Sequence, residues 1–212
     1  VILRPKSGRV EDAALALERL VPVDVVGLKP GRQRYGLFTD DKGGILDDLM
    51  FANRGDHLFL VVNAGCKVQD IAHLRKHLSG DCEIEELTDR GLIALQGPAA
   101  ERALAKLNPE VAAMAFMDVK DVTLVGADCI VSRSGYSGED GYEISVPADK
   151  AVALTQALLA DPEIDVIGLY CGPNGRAALL RQIIRAGKDV MTTKPFELDA
   201  AAALDVLQEA RR

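Results

Sequence analysis

RQRYGLFTDDKGGILDDLMFANRGDHLFLVVN, residues 32–63, is the stretch on which the fold turns. Apolar runs alternate here with turns rich in Gly and Asp. That pattern predicts strands at Tyr35–Phe38, Ile45–Ala52 and His57–Val62, joined as an antiparallel meander. Its middle strand carries two adjacent acids, Asp47 and Asp48. Neighbouring side chains on a strand point to opposite faces, so one acid looks inward. Asp48 shares a face with Leu46 and Met50, and Asp47 with Ile45 and Leu49; period alone does not decide between them.

Outward from the meander, Val1–Leu3 reads as a strand. VEDAALALERL has apolar residues at helical spacing, with Glu11 and Asp12 in the first turn, and predicts a helix over Val10–Leu20. A helix at Lys67–Leu78 follows the meander. Next come a strand at Leu92–Gln96, a Gly97-Pro98 turn and a helix at Ala99–Leu107. Strands near Val122–Val125, Cys129–Ser132 and Tyr142–Val146 and a helix over Asp149–Leu159 complete this part. Strands and helices mix without strict βαβ alternation, so the fold class is α+β.

Near Asp161-Pro162 the character changes to strand, turn, helix, strand, helix. Residues 171–212 hold seven basic and five acidic side chains, against an acidic body. The expected domains are therefore residues 1–160 and a short α/β tail, 161–212.

The chain has 212 residues, of which 48% are hydrophobic and 27% charged, enough for a core that needs no staples. A net charge of -7 without clustered Lys and Arg argues against nucleic-acid binding. Four scattered cysteines, with no CxxC pair and no His at ligand spacing, indicate neither a zinc site nor a disulfide framework. No apolar run approaches the roughly 20 residues that span a bilayer, and VILRPKSGRV lacks the apolar core of a signal peptide. The expectation is a cytoplasmic protein that binds no membrane and no metal.

Three constellations could carry chemistry. Tyr35, Asp48 and Asn63 lie on or beside the meander; its acids are either solvated at a hairpin mouth or one is held near a ligand amine. RSGYSGEDGYEISV, Arg133 to Val146, holds three glycines, two tyrosines and three acids. It is either a Gly-rich hairpin loop or a pocket for a flat heterocycle, in which Glu143 could accept two parallel N–H bonds from an aminopyrimidine. In VVNAGC, Asn63 either serves a ligand or caps the helix at Lys67. Cys66 has no His or Asp partner in sequence terms, which argues against a nucleophile.

RQRYGLFTDDKGGILDDLMF, LFLVVNAGC, LIALQGPAAERAL and SRSGYSGEDGYEISVP, in this order, resemble the aminomethyltransferase (T-protein) family of the glycine cleavage system. The resemblance runs from about Val1 to about Leu159. It implies a folate-binding aminomethyltransferase-like domain of antiparallel sheets with packed helices. It also implies transfer of an aminomethyl carbon from the lipoyl arm of H-protein to tetrahydrofolate, releasing ammonia. Asp48 matches the family's essential aspartate, near the folate N10, where it would stabilise cationic character as ammonia leaves; Asp47 is then expected to face solvent. Tyr35, Val61, Asn63, Tyr136 and Glu143 match positions lining the pterin pocket, and Ser137 stands where threonine is usual. The family begins some tens of residues earlier, so the domain is expected to be truncated. The family's later folate-contacting arginine has no counterpart, and neither Arg176 nor Arg181 takes that role.

The tail, from about Asp161, resembles a fragment of the glucose-fructose oxidoreductase and inositol dehydrogenase family, with Lys194-Pro195 at its Lys-Pro motif and Thr193 in place of Glu. No GxGxxG follows an early strand, so dehydrogenase activity is not expected. A non-catalytic folate-binding module is the alternative to the transferase.

Overall fold

The structure is a computed structural model that describes residues 1–169, 175–192 and 196–211. The meander forms as β2 (Gln33–Thr39), β3 (Ile45–Asn53) and β4 (Leu58–Val62). With β1 (Ile2–Pro5) and β5 (Cys82–Glu85) it builds a five-stranded sheet in the order β2-β3-β4-β1-β5. The ladder pairs Tyr35 with Met50, Leu37 with Asp48 and Met50 with Val61. Strand β5 escapes the sequence reading because only four residues alternate; pairing with β1 stabilises it.

One face of this sheet is the core. Leu3, Phe38, Leu49, Phe51, Leu58 and Leu60 pack beneath α1 (Val10–Leu17) and α2 (Lys67–Leu78) with Leu17, Leu74 and Leu78. Helix α1 stops three residues before the predicted end. Its chain tightens there, with Leu20 N–H donating to Leu17 O at 2.8 Å, ahead of Pro22, whose ring disfavours helix in the residue before it.

The second sheet is antiparallel in the order β6-β9-β8-β7, made of β6 (Arg90–Gln96), β7 (Val119–Leu124), β8 (Ala127–Arg133) and β9 (Gly141–Pro147). Alternation along β9 sends Tyr142, Ile144 and Val146 into a core shared with α3 (Ala100–Ala105) and α4 (Ala148–Leu159). Glu143 therefore takes the opposite face. A 3-10 turn at Pro109–Ala113, capped by the Asn108 side chain, also lies outside the sequence reading.

The two sheets meet on their other faces. Ala52, Phe59 and Val61 of the first pack with Val119 and Ile130 of the second. Polar bonds seal the joint: Gln33 N–H donates to Met117 O at 2.9 Å, Arg54 donates to Val119 O at 3.1 Å, and Arg32 pairs with Asp118. The tail adds a parallel pair, β10 (Val166–Leu169) and β11 (Asp189–Thr192), with α5 (Arg176–Arg185) and α6 (Ala200–Ala210) packed through Ala177, Leu180 and Val206. Thr193 and Lys194-Pro195 lie outside the described residues. Among the described residues no helix is long and apolar enough to cross a membrane.

Candidate ligand-binding site

Three sequence-predicted residues come together on the joined face of the first sheet. The Tyr35 hydroxyl donates to Asp48 Oδ2 at 2.9 Å, and Asn63 Nδ2 donates to Asp48 Oδ1. Tyr35 is on β2 facing β3, and Asn63 immediately follows β4, so the two neighbouring strands bring both donors to one carboxylate. Asn63 does not cap α2, whose N-terminal cap is Cys66 with no side-chain bond; its amide is drawn to the acids instead. Val61, also on this face, belongs to the apolar cluster that joins the sheets. The Tyr35 phenol is harder to ionise than usual, first because it donates to Asp48.

Asp47 does not face solvent. It sits on the helix side of β3, where its Oδ1 accepts from Asn63 Nδ2 at 3.1 Å and its Oδ2 is buried. Burial pushes its carboxyl up, but Asn63, the Asp48 backbone N–H, Asp70 and Cys66 together hold it below the ordinary range. Cys66 thus has an acidic partner, one that opposes activation: burial first, then Asp47, push its thiol up.

Asp70 was not singled out in the sequence because it reads as an acid in the first turn of α2, favourable to the helix dipole. In the structure it is 2% exposed and lies within hydrogen-bonding reach of Asp47. Two carboxyl groups this close repel when both are ionised, which favours a proton on one of them. Burial first, then Asp47 and Asp48, push Asp70 up to about 7.

Because the folded value lies above the unfolded one, the stability tied to this proton is complete below the unfolded value and is lost as pH rises through about 7. Thermal melts at pH 5 and pH 8 should show Asp70→Asn gaining on the wild type by roughly 1–2 kcal/mol at the higher pH, about 2–8 °C in Tm. Parallel pH curves for the two proteins would contradict the raised proton affinity of Asp70.

Glu143 and Tyr136 form a second group, on the second sheet. Ser134 Oγ donates to Glu143 Oε2 at 3.0 Å, and no hydrogen bond among the described residues reaches the other carboxylate oxygen. Burial raises the proton affinity of Glu143, partly offset by Ser134. Tyr136 is 80% exposed, on a loop whose backbone is organised by Gln96: Gln96 Oε1 accepts from Tyr136 N–H at 2.7 Å. Glycine is required at 135, and at 141 it leaves room for the Gln96 side chain. A side chain at Gly135 would strike the Glu139 carbonyl, and one at Gly141 would strike the Gln96 amide. No hydrogen bond among the described residues links this group to Tyr35, Asp48 and Asn63.

Arg133 anchors the loop. It donates to Asp140 through two nitrogens at 3.0 and 2.5 Å, to Glu101 at 2.7 Å and to Met114 O at 2.8 Å, with its guanidinium over the Tyr142 ring. Its role was not legible beforehand, since its partners come from α3 and the Met114 turn. Among the described residues no group of three or more His, Cys, Asp or Glu could hold a metal ion.

Two helix-backed antiparallel sheets joined face to face, with a twice-bonded carboxylate on one joined face and a half-buried carboxyl on the other sheet, define an α+β protein with a carboxylate-centred candidate site. Residues 8–205 match the GCVT N-terminal domain model, and the chain belongs to that family. It is 41% identical over 160 residues to the mitochondrial aminomethyltransferase of Dictyostelium discoideum, covering 71% of this chain and 40% of that one. It is 36% identical over 195 residues to the probable mitochondrial aminomethyltransferase of Schizosaccharomyces pombe, covering 89% and 50%. The crystal structure of glycine cleavage system aminomethyltransferase T from Bartonella henselae superposes with a TM-score of 0.69 at 35% identity, covering 77% of this chain and 44% of that one. The chain thus spans half or less of the length of these relatives.

Proposed function

We propose that the protein is an aminomethyltransferase of the glycine cleavage system, taking the aminomethyl carbon from lipoylated H-protein to tetrahydrofolate with release of ammonia. The observation that carries this reading is Asp48, held by Tyr35 and Asn63 on the joined face. Tetrahydrofolate, when bound, supplies the amine that accepts the one-carbon unit. Asp48 would set a fixed negative charge beside the carbon as positive charge develops there, and its oxygens would hold a proton in transit. Glu143 would receive the aminopyrimidine edge through the oxygen that Ser134 leaves open, while Tyr136 and Val61 would flank the ring. Relatives named as aminomethyltransferases support the assignment.

The division into residues 1–160 and 161–212 belongs to the same proposal. The tail's separate apolar cluster favours it, although the family match crosses that division. So does a thiol-reducing compartment, such as the cytoplasm, suggested by the free Cys66, Cys82 and Cys129; the relatives above bear mitochondrial names.

Titration with tetrahydrofolate, paired with an ammonia-release assay on aminomethyl-loaded H-protein, tests the reading. Saturable binding with release supports it. Binding without release would make the chain a non-catalytic folate-binding module, and absence of binding would remove both readings.

A further inference from the structure

Asp47 and Asp48 point to opposite faces of β3, yet one side chain reaches both. Asn63 Nδ2 donates to Asp48 Oδ1 and, at 3.1 Å, to Asp47 Oδ1, with the Asp48 main-chain carbonyl 3.4 Å from the same nitrogen. An amide nitrogen carries two hydrogens, so each acid can take one. The last torsion of an asparagine side chain is broad, and Asn63 is exposed; bonded to Asp48 alone, its amide would turn and exchange that bond for water. A second acceptor on the far face of the strand stops the turn. The other N–H then stays aimed at Asp48.

Asp47 is built to be that fixed acceptor. Its Oδ2 is buried and has no hydrogen-bond partner among the described residues, and the same is true of Oδ2 of Asp70, which is 2% exposed on α2. Asp70 lies within hydrogen-bonding reach of Asp47, so its protonated form can donate to Asp47 and tie that carboxylate to α2. Oδ1 is left for Asn63. Asp48 has one other donor, Tyr35, which is half exposed and comes from the edge strand of the sheet. Its orientation therefore depends strongly on Asn63.

We propose that Asp47 is a positioning residue for Asp48, acting through the Asn63 amide that it holds between the two faces of β3. This inference rests on the aminomethyltransferase reading above, in which Asp48 sets its charge beside the reacting carbon.

A double-mutant cycle on the whole chain, followed by ammonia release from aminomethyl-loaded H-protein, tests it. Asp47→Leu, which removes the acceptor, should lower kcat by about five- to tenfold, the scale of one lost hydrogen bond, and leave KM within about twofold. Asp47→Asn keeps an amide oxygen that can accept from Asn63 and should stay within about twofold of the wild type in kcat. Adding Asp47→Leu to Asn63→Ala should cost less than about a further twofold, because the residue through which Asp47 acts is already gone. A structural role alone would give losses that multiply. In NMR spectra without substrate, the Asn63 side-chain NH2 pair, identified by its absence from Asn63→Ala, should move in Asp47→Leu and stay near its wild-type position in Asp47→Asn. Multiplying losses, an Asp47→Asn as slow as Asp47→Leu, or an NH2 pair unmoved by Asp47→Leu overturns the positioning role and leaves the transferase reading standing. A wild type that releases no ammonia overturns both.

Discussion

Ammonia release by Asp48→Asn is expected to fall by roughly 10²–10⁴-fold, with the fold intact. The substitution keeps the shape of the side chain and can keep both hydrogen bonds, its amide oxygen accepting from Asn63 and its NH2 group donating to the Tyr35 oxygen. What it removes is the charge. A fixed carboxylate beside developing positive charge in a partly desolvated site acts mainly on the transition state, and loss of such a group costs on the order of 3–5 kcal/mol. The loss should therefore fall on kcat, with KM for aminomethyl-loaded H-protein little changed. Tyr35→Phe is the control, since it deletes one hydrogen bond and leaves the charge. With Tyr35 half exposed, its cost should be about 1 kcal/mol, or some fivefold. A rate for Asp48→Asn within about threefold of the wild type would sink the assignment.

The second large effect is on the loop that carries Tyr136. Arg133→Ala removes a two-nitrogen fork on Asp140, a bond to Glu101, a bond to the Met114 carbonyl and a cation over Tyr142. The Arg133 side chain is only 16% exposed, so Glu101 and Asp140 would lose a partner that water replaces imperfectly. Because both acids are themselves partly solvated, the expected cost is roughly 2–3 kcal/mol, below that of a fully buried pair, or about 4–12 °C in Tm. Arg133→Lys keeps the charge but not the planar fork, and should recover less than half of the loss. Tetrahydrofolate affinity should fall with Arg133→Ala even at temperatures where the protein is folded, because residues 134–140 lose their anchor. Melting curves indistinguishable from the wild type would show that the arginine is ornamental.

These two sites were legible in the sequence to different degrees. The meander, the helices and the strands of the second sheet follow from period and turn chemistry, both local properties. So does the presence of Glu143 in a glycine-rich stretch able to approach a flat ligand. Strand β5 and the 3-10 turn were not legible, since four or five residues carry too little pattern. Arg133 looked like one more charge at the start of a loop until α3 and the Met114 turn came round to meet it.

Alternation along β3 established that Asp47 and Asp48 point to opposite sides, and this follows from the sequence alone. It could not decide which face would meet α2 and which would meet the second sheet. Assigning Asp47 to solvent failed because α2 returns across the sheet and places Asp70, 23 residues further along by sequence number, against it. The sequence by itself determined the α+β class and the strand carrying the paired acids, and it named the residues proposed to serve a ligand. Only the tertiary structure decided their division of labour. Period is a property of one strand, whereas inside and outside are set by whatever packs on it, and the bonds from Tyr35 and Asn63 and the approach of Asp70 exist only once distant segments are in place.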